Sequence, residues 1–466
     1  MHDSAIFLPL REQHERLRSG TLRALELTEV ATQQYARRGL HDHAYIDWRG
    51  DRALESARVT DTLLQHGADA GPLMGIPVSV KDLYAVSGYA TYAGGARRLP
   101  AQWEQSGPII TALMRQLPSL MGKTHTVEFA FGGLGTNPHW GTPRNPWDSM
   151  QHRTPGGSSA GAGVSVVSGT ASLALGTDTA GSVRVPASMN GVAGFKTTVG
   201  RWPTDQIVPL SSTLDSPGLF ANRVDDLAFA FSALDSSLRG SRCSEITPPP
   251  LSELVFGVPD SYFWDGCSPG VAEAVNAAIE RLAQGGARII RLELPRAQEA
   301  FELFQAGGVA SVELAAFLNT RFPERIASLD PSVAARIMAT ESMPAWEYVR
   351  RREQIASLYD EGKTRLAKVD AMLMPTVIST PPTLQSLESE GAYQKANMLA
   401  LRNTAIGNFL GTCGLTLPVG LDAIGMPVGM QMLAGPGQDA RLLAIGRAVE
   451  AHLGDRFALL GELPDV

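Results

Sequence analysis

Cysteine is scarce in this sequence, and no two cysteines stand close together. Only Cys243, Cys267 and Cys413 occur among the 466 residues, without a CxxC pair. Such spacing provides neither a disulfide framework nor the paired ligands of a zinc site, and it fits a reducing compartment. We therefore expect a cytoplasmic protein, and the cysteines indicate no zinc site.

Long basic runs and long apolar runs are missing as well. The formal net charge is −7 and no segment concentrates lysine and arginine, which argues against a nucleic-acid partner and against an anionic membrane surface. No stretch reaches the about 18 apolar residues that a membrane span needs, and the N-terminal segment lacks the apolar centre of a signal peptide. With 44% hydrophobic and 19% charged residues, the composition is that of a globular protein.

Strand and helix patterns alternate through the second half of the chain. Leu254 to Val258 predicts a strand, Val271 to Gln284 an amphipathic helix, and Ala287 to Leu292 a second strand, and such a unit implies two parallel neighbours. Residues 296–367 are predicted to be mostly helical and either cover the sheet or line a substrate entrance. We expect one domain over residues 1–466 that includes this helical segment.

A run rich in glycine, serine and alanine extends from Thr154 to Ser188 without repeats or charge blocks. Apolar residues between the small ones indicate a buried segment with two sharp turns, near positions 156–157 and 180–181. Ser158 follows the first turn and Ser182 the second. A serine nucleophile needs an adjacent base and backbone N–H groups directed at the oxyanion. These turns can supply the N–H groups, unless both are only packing corners.

A lysine upstream is the candidate base. The short β-branched segment Ile76 to Val80 predicts a strand, and Lys81 follows it directly. If the lysine side chain enters the interior, desolvation lowers its pKa toward the range in which it can accept a proton. The plainer interpretation is a surface lysine that pairs with Asp82.

Three segments together resemble the amidase signature family. They are GIPVSVKD at 75–82, GGSSAG at 156–161 and GTDTAGSVRVPAS at 176–188, and motifs of this length are specific. The resemblance covers most of the chain, from the first helices to the last apolar strand. It implies an α/β fold with a large mixed, mostly parallel central sheet that is covered by helices on both faces.

The resemblance also implies a Ser-Ser-Lys triad. By this comparison Lys81 is the base, Ser158 is the bridging serine with a cis peptide bond, and Ser182 is the nucleophile. The implied activity is hydrolysis of the C–N bond of a small carboxylic or carbamoyl-type amide, through an acyl-enzyme on Ser182. The expected partner is therefore a small-molecule amide, and the implied mechanism requires no metal and no organic cofactor.

Residues around the second turn receive supporting roles. We expect the backbone N–H groups of Thr179, Ala180 and Gly181, with that of the nucleophile, to stabilise the oxyanion. Asp178 and Arg184 flank the turn, and a charged pair in an apolar segment should satisfy itself. We interpret this pair as structural support for the turn.

One alternative uses a different serine. The sequence GSSAG also fits the G-x-S-x-G pattern of a nucleophile elbow, in which Ser159 would attack and a later histidine would act as base. His452 is the only histidine after His152, and it lies on a predicted surface helix. In the triad interpretation Ser159 is a supporting residue instead.

Three further questions stay open at this stage. Chains of this family also serve as the glutaminase, A-type subunit of a tRNA-dependent amidotransferase, which would require partner subunits. The oligomeric state is open between a single chain and a homodimer. The glycine- and proline-rich loop after Phe131 either walls the substrate pocket with Trp140 or Trp147 or packs on the surface.

Overall fold

The centre of the molecule is a single large sheet. The computed structural model describes residues 5–259 and 261–465, and within them eleven strands hydrogen-bond side by side. In chain order they are β1 (Tyr45–Trp48), β2 (Pro77–Lys81), β3 (Ser119–Thr124), β4 (Leu173–Asp178), β5 (Ala193–Lys196), β6 (Ser216–Ala221), β7 (Val255–Pro259), β8 (Arg288–Leu292), β9 (Ala371–Pro375), β10 (Cys413–Leu421) and β11 (Pro427–Ala434).

The sheet is mixed. Its strands follow the order β1-β3-β2-β4-β6-β5-β10-β11-β9-β7-β8. Parallel pairs are β2–β3, β2–β4, β7–β8 and β7–β9, whereas the other six neighbouring pairs of the described chain are antiparallel. The predicted α/β class with a mixed sheet is confirmed, but the expectation of mostly parallel pairing is corrected. The difference arises at the centre, where β5 and β6, which the sequence pattern did not predict, pair antiparallel with each other and with both flanking strands.

Fifteen α-helices occur in the described residues. In chain order they are α1 (Leu10–Ser19), α2 (Ala24–Asp42), α3 (Gly50–Gln65), α4 (Pro108–Met114), α5 (Ala160–Val167), α6 (Arg184–Asn190), α7 (Val224–Arg239), α8 (Val271–Gln284), α9 (Ala297–Gln305), α10 (Ala310–Arg321), α11 (Pro331–Met338), α12 (Ala345–Leu366), α13 (Glu390–Phe409), α14 (Asp439–Leu453) and α15 (Arg456–Leu460).

Helices bury both faces of the sheet. Successive side chains of a strand point to opposite faces, and β4 shows the result. Leu173 and Leu175 enter the large core that also contains residues of α7, whereas Ala174 packs into a separate core with residues of α5 and α6. The central strands are therefore buried on both sides, and every residue of β2, β4, β5 and β6 is buried.

The segment Ala297–Arg321 bears on the expectation that the chain contains no membrane span. By length and composition alone it is apolar enough to cross a membrane. The structure divides it into α9 and α10, and it buries Leu303, Leu314 and Leu318 in the protein core. The core helices of a globular protein meet the same criterion, so the absence of a membrane partner stays a prediction.

The motif segments meet at one edge of the sheet. β2 and β4 are parallel neighbours, so their carboxyl ends lie together. β2 ends at Lys81, and β4 ends at Asp178. The small residues of α5 allow close packing beside them, since a Cβ atom on Gly161 would lie 1.9 Å from the carbonyl oxygen of Ala44.

Candidate active site

Lys81 is buried at the end of β2 and faces a serine. Its Nζ donates to Ser158 Oγ at 2.7 Å and to Thr177 Oγ1 at 2.8 Å. Burial lowers the pKa of Lys81 to about 7, although the carboxylates of Asp215 and Asp178 oppose this shift. A lysine in this state is partly neutral at physiological pH and can accept a proton.

The plainer interpretation of this lysine as a surface residue is wrong. Asp82 forms its ion pair with Lys123 at 3.1 Å, and all three side chains are buried. Within the described part of the chain, Lys81 has no carboxylate at ion-pair distance. The side chain that the sequence suggested as its partner is therefore engaged elsewhere.

The two serine turns lie against each other. The peptide bond between Gly157 and Ser158 is cis, as the family resemblance implies. The N–H of Ser159 donates to the carbonyl oxygen of Ser182 at 3.3 Å, which joins the first turn to the second. The structure thus places Ser158 in contact with Lys81, and a backbone hydrogen bond joins its turn to the turn of Ser182. The hydroxyl of Ser182 itself has no hydrogen-bond partner among the described residues.

The buried carboxylate of Asp178 holds the second turn by accepting hydrogen bonds from its backbone. The carboxylate accepts from the N–H of Gly181 at 2.8 Å and from the N–H of Val183 at 3.1 Å. Arg184 donates to the same carboxylate through Nη2 at 3.0 Å and Nε at 3.1 Å. Burial alone would raise the pKa of Asp178, but the Arg184 guanidinium outweighs it and holds the pKa below its ordinary value. The predicted pair is therefore assembled beneath the turn.

The set of candidate oxyanion donors differs from the prediction. The N–H of Gly181 is directed at Asp178, so it is not available to an oxyanion. In the portion of the chain that the structure describes, the N–H groups of Thr179, Ala180 and Ser182 have no acceptor. Thr179 lines the cavity, and its hydroxyl donates to Asp215 at 2.5 Å.

Helix α13 holds the turn from the other side, and the sequence pattern did not predict this helix. Thr404 Oγ1 donates to the carbonyl oxygen of Ala180 at 2.7 Å. Asn408 Nδ2 donates to Asp178 at 2.9 Å. Gly181 has a φ of +134°, and a Cβ atom there would lie 2.1 Å from Thr404 Oγ1. Only glycine fits this position, because both the backbone angle and the contact exclude a side chain.

The nucleophile-elbow alternative has no geometric basis. Ser159 Oγ donates to the carbonyl oxygen of Thr177 at 3.2 Å inside the protein. His452 contacts the carbonyl oxygen of Arg281 at 2.9 Å at an exposed position of α14. The histidine is thus engaged with α8, and the serine with β4.

Ser182 opens onto a cavity of about 260 Å³. Its apolar wall is formed by Phe131, Leu210, Leu214, Phe304, Val309, Met343, Met398, Leu401 and Phe409. Phe304, Val309 and Met343 belong to the predicted helical segment 296–367, which therefore contributes to the wall of this cavity. Of the two alternatives for the loop tryptophans, a pocket wall is not what the structure shows, because neither lines this cavity. Trp140 Nε1 donates to Gly95 O at 3.0 Å, and Trp147 Nε1 donates to Asn190 O at 2.9 Å.

No group of three or more metal-ligating side chains occurs in residues 5–259 and 261–465. Two charged side chains line the cavity, Arg336 and Arg351. Acidic side chains do not contribute to the wall within the described residues.

Replacing Arg184 with alanine should destabilise the protein strongly. The substitution leaves the Asp178 carboxylate buried without its cation, and breaking a buried pair in this way costs about 3–5 kcal/mol. The free energy of unfolding can be measured by urea titration. Arg16→Ala is the control, since it removes an exposed ion pair with Glu12 that contributes at most about 1 kcal/mol. Equal losses in both variants would contradict a structural role for the buried pair.

Comparison with known proteins identifies the family. The model of the family described as Amidase matches residues 26–443. The chain belongs to the amidase signature family. A 2-amino-5-chloromuconic acid deaminase from Comamonas testosteroni is 51% identical over 464 residues, which cover 99% of this chain and 100% of that protein. The A-type subunit of a glutamyl-tRNA(Gln) amidotransferase from Koribacter versatilis is 32% identical over 445 residues, which cover 88% of this chain and 91% of that protein.

Solved structures agree with this membership. A crystal structure described as an amidase superimposes with a TM-score of 0.85 at 30% sequence identity, covering 96% of this chain and 100% of the other. The family resemblance and the amidase signature fold predicted from the sequence are confirmed. The protein is accordingly a hydrolase of this family that acts on C–N bonds, and a small amide is the substrate type that the family implies.

Proposed function

We propose that the protein hydrolyses a C–N bond with Ser182 as nucleophile, Ser158 as proton relay and Lys81 as base. One observation carries the proposal: a buried lysine with a lowered pKa contacts a serine hydroxyl beside the turn that presents Ser182 to the cavity. A serine cannot attack without such a base. The N–H groups of Ala180 and Ser182 are free to stabilise the negative charge that develops.

The proposed reaction has three steps. Ser182 Oγ bonds to the carbon that carries the nitrogen, and its proton passes through Ser158 to Lys81. The C–N bond then breaks, and the leaving nitrogen takes this proton. Water attacks the same carbon, gives up a proton to Lys81, and the C–Oγ bond breaks as Ser182 is protonated again. Overall, one water is consumed and one ammonia or amine is released.

For the substrate we propose an amino-substituted unsaturated dicarboxylate. The support is the end-to-end 51% identity to a deaminase whose named substrate is a derivative of muconic acid, a six-carbon diene with two carboxyl groups. The imine form of such a compound has an electrophilic carbon at the amino position. Attack there replaces the amino group with the oxygen of water and releases ammonia. The apolar walls of the cavity suit the flat hydrocarbon chain.

A simple carboxylic amide is the second candidate, because the family match implies amide substrates. In that case the intermediate is an acyl-enzyme ester on Ser182. The alternative as a glutaminase subunit has weaker support, because the matching amidotransferase chain is only 32% identical. Activity of the lone chain would count against a role that needs partner subunits.

An ammonia-release assay on the purified chain should separate these candidates. We expect 2-aminomuconate to release ammonia faster than a panel of amides that includes glutamine, acetamide and benzamide. The formation of ammonia is measured with a coupled enzyme, and loss of the diene absorbance gives an independent signal. Faster release from a simple amide would favour the second candidate. Release from none of them by a folded chain would contradict the proposed substrates.

A further inference from the structure

Arg336 is a cation in the wall of the cavity, and it has no acidic partner among the described residues. The side chain lies on α11 and stacks on the ring of Phe131 at 3.9 Å. Its Nη2 donates to the carbonyl oxygen of Phe131 at 2.6 Å, and its Nε donates to that of Ser332 at 2.9 Å. No carboxylate of the described chain lies within ion-pair distance of it. Asp330, the nearest acidic neighbour along the helix, accepts from the N–H of Ser332 at 2.7 Å.

Arg351, the other cation of the same wall, has an acidic partner, as partly buried arginines usually do. Its Nε donates to Glu347 at 2.7 Å, and its Nη1 donates to the carbonyl oxygens of Ala306 and Gly308 at 2.7 and 2.9 Å. The charge of Arg351 is therefore neutralised inside the protein. A partly buried guanidinium without such a partner is costly. Burial accordingly lowers the pKa of Arg336.

A second donor faces the same space. Asn397 Oδ1 accepts from the N–H of Gly133 at 2.7 Å, which fixes the orientation of the amide group. The Nδ2 of Asn397 has no acceptor among the described residues, and this residue lines the cavity with Arg336. Tyr393 is a further polar neighbour of the guanidinium. Arg336 and Asn397 thus add two hydrogen-bond donors, one of them charged, to a cavity wall that contains no acidic side chain among the described residues.

We propose that Arg336, assisted by Asn397, binds a carboxylate of the substrate and makes the enzyme selective for anionic compounds. A guanidinium matches a carboxylate in geometry and charge, and the bound anion would replace the acidic partner that the protein does not supply. The apolar wall would hold the hydrocarbon part, with the reacting carbon at Ser182. The inference deepens the proposed function, but the binding step can be tested apart from the reaction.

The first test is binding of muconate, which has both carboxylates but no nitrogen to release. Calorimetry should show that Arg336→Gln weakens muconate binding about 10- to 100-fold, the range for a hydrogen bond to a charged group. Arg336→Lys keeps the charge and should recover part of the loss. Arg321→Gln, at the exposed end of α10, should bind within about twofold of the wild type.

A second comparison needs no variant. The wild-type chain should bind muconate more tightly than its neutral dimethyl ester by a similar factor. Equal binding of acid and ester, or unchanged muconate binding in Arg336→Gln, would overturn the carboxylate site even if ammonia is released. Muconate binding that depends on Arg336, without ammonia release from any candidate, would leave this site standing and overturn the proposed reaction.

Kinetics supply a readout that a merely structural arginine would not give. With 2-aminomuconate as substrate, Arg336→Gln should raise KM more than it lowers kcat, because the lost contact is present before and during the reaction. A neutral amide of similar length should show little change in KM. Equal losses on anionic and neutral substrates would identify Arg336 as a residue that only holds the loop at Phe131.

Discussion

Replacing Ser182 with alanine is expected to lower kcat by about 10⁴-fold or more, on the scale seen when other serine hydrolases lose their nucleophile. The covalent step cannot occur without the Oγ atom. The fold should be kept, because the hydroxyl of Ser182 makes no hydrogen bond on which the packing depends among the described residues. Circular dichroism and the rate of ammonia release under substrate saturation are the two measurements.

Ser159→Ala is the matched comparison for this variant. Ser159 precedes α5 on the neighbouring turn, and its hydroxyl bonds to the backbone of β4 at Thr177. Its loss should cost far less activity than the loss of Ser182. The opposite order, together with an inactive His452→Ala variant, would show that the elbow serine attacks and that the triad assignment is wrong.

Replacing Lys81 with methionine should lower kcat by about 10²- to 10⁴-fold, the usual contribution of a general base. Methionine has a similar length and no charge, so the buried site stays filled. In the wild type the neutral form of Lys81 is the active base. Because burial lowers its pKa to about 7, kcat should rise as the pH increases from 6 to 8, and Lys81→Met should lose this rise.

The carboxylate of Asp215 provides an independent check on the assignment of this pKa. Its negative charge favours the protonated lysine and so raises the pKa of Lys81. Asp215→Asn should therefore move the rise of kcat to lower pH. A wild-type profile that is flat between pH 6 and 8, or a rise that Lys81→Met retains, would remove Lys81 as the titrating base.

The parts of the site that could be predicted from the sequence are those carried by short contiguous segments. Lys81 follows its strand directly, and Ser158 and Ser182 lie in glycine-rich turns, so local pattern places them. Asp178 and Arg184 are six residues apart in the same segment, and their pairing follows from the cost of burying either charge alone. The alternation of strands and helices was sufficient for the α/β class.

The remaining parts depend on contacts between residues far apart in the chain. Asp215 reaches Thr179 only because β4 and β6 pair antiparallel, and neither β5 nor β6 has a sequence pattern that is typical of a strand. The N–H of Gly181 could not be assigned to Asp178 without coordinates. Arg336 stands in a helical segment with many charged residues. What distinguishes it is its place in the cavity wall without an acidic partner among the described residues, which only coordinates reveal.

Two parts of helix α13 make different contacts. Near its middle, Asn397, Met398 and Leu401 line the cavity. Nearer its C-terminus, Thr404 and Asn408 donate hydrogen bonds to Ala180 O and to Asp178, which hold the turn of Ser182. Substitutions at 397, 398 and 401 can therefore change which molecules are accepted without removing the hydrogen bonds from Thr404 and Asn408. Such a division allows new substrate ranges to evolve, or to be engineered, without rebuilding the chemistry.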